Sequence, residues 1–214
     1  MPAKSMLYGP SLEVNIDSLL INCGPLLEEQ VIRFFERVEL VQRHGGRKWI
    51  RNVIDWMVKA HKIVNVGDCL VSTNFRALSH QTSDYNQVKR QMVFWVIANM
   101  GCDNVLALHC LDDASQFFVN VKSGELTDDG EEEVLAIVLA CIQLPQDIAA
   151  FKRIKQSSFL KFEPDDPADL PLYIAVGANN SLIESCQKSR FDIFCLLEAP
   201  DFEPYYCQLG EEDI

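Results

Sequence analysis

No stretch of this sequence approaches the ~18 uninterrupted apolar residues that a membrane-spanning helix requires, which argues against a membrane protein. The opening residues, MPAKSMLYGPSLEVN, lack the apolar core of a secretory signal. There is no C-x-x-C pair. Instead Cys23, Cys69, Cys102, Cys110, Cys141, Cys186, Cys195 and Cys207 are scattered, most of them in apolar stretches such as LACIQL and DIFCLL. A free thiol in such a setting packs as a small hydrophobe, so reduced cysteines in a cytoplasmic or nuclear protein are the expectation.

Phosphate-binding and catalytic signatures are missing too. The chain has no Walker loop, no dinucleotide-binding glycine pattern and no nucleophile elbow. His44, His61, His80 and His109 stand in unrelated contexts. His109-Cys110 with Cys102 is the nearest approach to a metal cluster, and it lacks the ligand spacing of a zinc site. Asp112-Asp113 and Asp128-Asp129 could pair as catalytic carboxylates, but solvated caps and turns account for them more simply. No catalytic residue, metal ligand or cofactor is therefore assigned, and an enzyme is not expected.

What is present is charge of uneven distribution. Of the net −12, residues 1–110 carry 12 Lys/Arg against 10 Asp/Glu, whereas residues 111–214 carry 7 against 21. The acidic half would repel phosphates, so a direct nucleic-acid partner is not expected unless the near-neutral first half binds one alone.

Hydrophobic periodicity predicts a mostly α fold, a helical bundle over residues 26–100. Short strands are admitted in the second half, with α+β as the alternative. Leu26, Leu27, Val31, Phe34, Phe35, Val38 and Val41 form one stripe, broken at His44-Gly45-Gly46. Trp49, Ile50, Val53, Trp56, Met57, Ala60 and Ile63 form the buried face of a second helix, which Asn65-Val66-Gly67-Asp68 should end. A shorter helix is expected over 70–78 and a longer one over 88–100, stopping at Gly101.

Beyond that, NVLALHC (104–110), QFFVNV (116–121), LYIAV and FDIFCLL read as strands or buried segments, with a hairpin turn at Ser123-Gly124. The acids of Thr127–Glu133 suit a helix start, so VLAIVLACI is read as a central helix ended by Pro145, where the helix IAAFKRI begins. The domain division is a helical region 1–110 and an acidic mixed helical and strand region 111–214, which can belong to the same domain.

Three segments resemble known binding modules. Ile54-Asp55-Trp56-Met57-Val58-Lys59-Ala60-His61 resembles the opening helix of a cyclin box, with helices of the box expected at 70–79, 88–100 and 127–144. That resemblance implies an apolar docking row of Trp49, Val53 and Trp56, which Asn52 does not fit. It also implies a kinase-contacting acid supplied by Glu131, Glu132 or Glu133, while Asn99 or Met100 stands where the partner lysine belongs. Asp55 is one of the matching residues.

Ser18-Leu19-Leu20-Ile21-Asn22-Cys23-Gly24-Pro25-Leu26-Leu27 is similar to the motif by which cullin ubiquitin-ligase adaptors dock onto Elongin C. Ser18, Leu19, Cys23 and Leu27 are its contact residues, although Gly24-Pro25 interrupts the helix. Trp49-x-Arg51-x-Val53 with Trp95-Val96, Gly101 and Asp103 resembles two homology regions of the apoptosis-regulating Bcl family.

All three resemblances imply regulation through protein partners. The leading expectation is a divergent cyclin-like regulatory protein, virus-encoded and acting on its host, that binds a kinase or transcriptional partner. The alternative is an adaptor recruiting an Elongin C/cullin ubiquitin ligase, and an unrecognised enzyme comes third.

Overall fold

A computed structural model describes residues 11–74, 84–111, 116–126, 130–155 and 171–209. In chain order the elements are α1 (Leu12–Cys23), β1 (Leu26–Leu27), α2 (Glu28–Phe35), α3 (Glu39–Arg43), α4 (Arg47–Lys59), β2 (Ile63–Val66), β3 (Cys69–Ser72) and α5 (Asp84–Met100). They continue with β4 (Val105–Leu111), β5 (Gln116–Leu126), β6 (Glu132–Cys141), α6 (Pro145–Lys155), β7 (Leu172–Gly177), α7 (Ile183–Gln187), β8 (Ile193–Glu198) and β9 (Glu203–Gln208). This is an α+β fold, and the expectation of a mostly α helical bundle over 26–100 is overturned.

The first sheet has the order β1-β3-β2, all antiparallel. Leu26-Leu27, taken as the start of a helix, pairs with Leu70 and Cys69. Gly67-Asp68, expected to end a helix, is instead the two-residue turn between β2 and β3, with Val66 opposite Cys69 and Gly67 at φ +58°. That pairing of two extended arms around a glycine of positive φ is ordinary hairpin chemistry. The helix expected over 70–78 is strand β3 up to Ser72, and residues 75–78 lie outside the described residues.

The second sheet runs β4-β5-β6-β7-β8-β9, with β6, β7 and β8 parallel and the other pairs antiparallel. The segment VLAIVLACI, read as a central helix, is strand β6 in the middle of this sheet. Ile137, Leu139 and Cys141 join the main core, while Val138, Ala140 and Ile142 join a second cluster under α6 and α7. A strand covered on both faces shows no polar alternation, so its sequence reads as one apolar run. The turn expected at Ser123-Gly124 falls inside β5, where the pairing with β6 shifts register between Lys122 and Leu126.

α5 ties the two sheets together. Met92, Val93, Phe94, Trp95, Val96, Ile97 and Ala98 are all buried, because α2 packs on one side of the helix and the second sheet on the other. Around its end Arg33 Nη1 donates to Asn99 Oδ1 at 3.3 Å and to the Asp201 carbonyl at 3.0 Å, and Trp95 stacks on Phe202 at 5.0 Å. The main core runs continuously from Leu12 to Leu197, and the division between 1–110 and 111–214 falls at the end of β4, inside the β4–β5 pair. Among the described residues no helix is long and apolar enough to cross a membrane.

Candidate functional site: the outer face of helix α4

α4 begins after a glycine pair in which Gly45 has φ +107° and Gly46 φ +59°, conformations that residues with a Cβ seldom adopt. This sharp turn re-aims the chain out of α3. Helices α2, α3 and α4 follow one another and lead into the β2–β3 hairpin, with α4 in contact with α2, α3 and β2.

The apolar residues of α4 divide between two faces. Ile50, Ile54 and Met57, at spacings of four and three, are buried in the main core. Trp49, Asn52, Val53 and Trp56, spaced by three, one and three, lie to one side of that stripe, with Trp49 and Val53 still packed against the edge of the main core. They line a surface cleft of about 320 Å³ together with Ser11, Leu12 and Glu13 at the start of α1. Trp49, Val53 and Trp56, expected to share one buried face with Ile50, therefore sit differently: Trp49 and Val53 are half-buried, and Trp56 is 48% exposed.

Both tryptophans are held. His44 stacks on Trp49 at 4.7 Å, and its Nδ1 lies 2.8 Å from the Leu40 carbonyl. Lys62 Nζ sits over the Trp56 ring at 4.7 Å, a cation–π contact, and is ion-paired with Glu13 on the cleft's lip. At the helix start Ser11 accepts a hydrogen bond from Val14 N, so this wall of the cleft is a capped helix end. Among the described lining residues Glu13 is the one acid, and it is already paired. The cleft can seat apolar side chains and offer the Asn52 amide.

The charges around it are ordered. Between residues 47 and 62 there are five Lys/Arg and one acid, Asp55. Arg47 pairs with Glu29 and Glu36. Its guanidinium pKa is raised above the usual arginine value, chiefly by the hydrogen bond to Glu29, with burial opposing and Glu36 adding. Arg51 lies 3.6 Å from Glu28 and 3.7 Å from Glu29. Lys48 and Lys59 are exposed and have no ion pair with any described residue.

The other expected contact residues go elsewhere. Asp55 is exposed on α4, off the cleft. Glu131, Glu132 and Glu133 do not line it. Glu132 and Glu133 open strand β6 rather than a helix, and Glu132 pairs with Lys122 at 3.0 Å. In the adaptor-like segment Leu19 and Cys23 are fully buried in the main core, Ser18 and Leu27 only partly, and Gly24 caps α1 at φ +79°. Presenting Leu19 and Cys23 to a partner would require α1 to leave the core. Among the described residues no group of three His, Cys, Asp or Glu could hold a metal ion. Asp112-Asp113, Asp128-Asp129 and His80 lie outside the described residues.

Sequence reasoning missed Ser11, Leu12 and Glu13. The signal for them is the stripe Leu12, Ile16, Leu19, Leu20 and Cys23, which with Ser11 as cap marks a helix whose start meets α4. Comparison of the chain with family models, with curated proteins and with solved structures gives no match.

Proposed function

We propose that this chain is a non-enzymatic regulatory protein that works by binding another protein through the outer face of α4. The observation that carries this reading is Trp56, 48% exposed beside Trp49 and Val53 around an open cleft, on a helix whose core face is already filled by Ile50, Ile54 and Met57. Trp49 and Val53 pack against the edge of the core, whereas Trp56 is left largely outside it. Large aromatics set in a partly desolvated pocket are the residue type that carries most of the free energy at protein interfaces.

Nucleic acid is the other reading of an exposed helix beside a hairpin, and charge weighs against it. Arg47 and Arg51 are engaged by the glutamates of α2, and the wing tip (Asn65, Val66, Gly67, Asp68) bears an acid and no cation. Affinity for a duplex comes mainly from cations free to meet phosphates. On α4 that leaves Lys48 and Lys59 without an ion pair among the described residues, and two cations at the rim of a face of two tryptophans and a valine are a poor match to a duplex.

A photo-cross-linking amino acid in place of Asn52, at the cleft, tests the reading in cells that make the protein. The same amino acid at Leu126, which is 71% exposed at the end of β5, is the control. A discrete adduct at 52 alone, destroyed by protease and resistant to nuclease, is expected. An adduct destroyed by nuclease, or equal labelling at both positions, would refute it.

A further inference from the structure

The proposal rests on the binding reading above and concerns what kind of segment the cleft receives. On an α-helix each residue turns by ~100°, so Lys48, Asn52 and Lys59 project within about 40° of one another. They form one rim of the face on which Trp49 and Trp56 stand. The opposite wall is the start of α1, where Lys62 already neutralises Glu13. The cleft is thus apolar at its centre and cationic along one edge. Lys48 and Lys59 are not engaged by any described carboxylate, although the chain as a whole carries −12. Asp55 does not line the cleft, and it stands one turn before Lys59 on the side of this edge turned from the tryptophans.

We infer that the occupant is an acidic amphipathic segment of a partner protein. Its aliphatic or aromatic side chains fill the cleft between Trp49 and Trp56, and its carboxylates meet Lys48 and Lys59. Those lysines lie eleven positions apart, ~16 Å along the helix axis at 1.5 Å per residue. A bound helix of about three turns spans that distance with an acid near each end. Opposite charges at the rim speed encounter and select the partner, while the apolar centre holds it.

Selection of a random peptide display library on the full-length chain tests this, with Trp56→Ala and the pair Lys48→Glu, Lys59→Glu as parallel targets. Thermal melts establish that each variant is folded. Peptides combining Leu, Phe or Trp with Asp and Glu should be enriched, and should bind roughly tenfold or more weakly to Trp56→Ala. The double lysine variant should lose them and enrich neutral or basic peptides instead. Enrichment of neutral or basic peptides on the native chain, still dependent on Trp56, would overturn the acidic occupant and leave the cleft reading standing. Peptides indifferent to Trp56→Ala would overturn both, and absence of any enriched peptide would overturn the inference. Displacement of the acidic peptides by single-stranded oligothymidine at equal concentration would assign the rim to phosphates instead.

Discussion

Replacing Lys89 by Met should destabilise the fold severely at neutral pH and much less in acid. Lys89 of α5 and Asp147 of α6 form a buried ion pair, each side chain 7% exposed. Asp147 Oδ2 also accepts from Gln143 N at 3.0 Å and Leu144 N at 2.9 Å. Burial alone would push the Asp147 carboxyl up. The hydrogen bonds from Lys89 and from the two backbone amides outweigh it, and its pKa falls below the usual carboxylate range.

Methionine keeps the volume of the lysine stem but leaves a buried carboxylate short of its cation, a change that costs about 3–5 kcal/mol. For a chain of this size 1 kcal/mol is worth roughly 2–4 °C, so the melting temperature should drop by about 6–20 °C. Because the folded pKa of Asp147 lies below its unfolded value of about 3.9, its contribution is complete above that pH and is lost as pH falls through the folded pKa. In Lys89→Met the carboxyl titrates higher, so the penalty should shrink as the buffer is taken from pH 7 towards pH ~4. Urea or thermal melts followed by circular dichroism at several pH values measure this. A penalty below about 1 kcal/mol at pH 7, or one independent of pH, would refute the reasoning.

Three further outcomes are expected. A Cβ on Gly177 would lie 2.6 Å from Phe194 Cζ, on a ring that is itself 1% exposed, so Gly177→Ala should lose about 1–3 kcal/mol in urea melts. The pair Leu19→Ala, Cys23→Ala should lower stability by at least the ~2–5 kcal/mol of a buried Leu→Ala change, and partner recovery should fall only where the fold is lost. Burial raises the thiol pKa of Cys102, Cys141 and Cys195 to about 12, while Cys207 is exposed; in the native protein at pH 8 a thiol reagent should label Cys207 first, and in denaturant all eight should react.

How far the fold was legible depended on how each segment is covered. α5 was readable over 88–100, and β4, β5, β7 and β8 were recognised as strand-like or buried segments. Pro145 marked the start of α6. β6 was misread because Val134–Cys141 is apolar throughout, although only Ile137–Cys141 is buried on both faces, and the acids before it imitate a helix start. β-branched Val134, Ile137 and Val138 favoured the strand, but periodicity alone does not settle a short apolar run. β1 is two residues long, and its existence depends on pairing with β3 far along the chain. Around α4 the residue types of the candidate site were legible and their division was not. Trp49, Val53 and Trp56 were singled out, but only packing shows that Ile50, Ile54 and Met57 take the inside and leave the tryptophans round the cleft. The Ser-Leu-x-x-x-Cys pattern of residues 18–23 turned out to lie on a core stripe, since Leu19 and Cys23 continue the spacing of Leu12 and Ile16.

Whether Trp56 serves binding rather than folding is decided by one paired measurement. Trp56→Ala is introduced into the protein carrying the photo-cross-linker at position 52, and its melt and its adduct are recorded together. Half-exposed as the ring is, the variant should melt within about 1 kcal/mol of the parent and lose the protein adduct. Survival of the adduct at parental yield, or a loss of the ~3–5 kcal/mol typical of a core aromatic, would contradict the account.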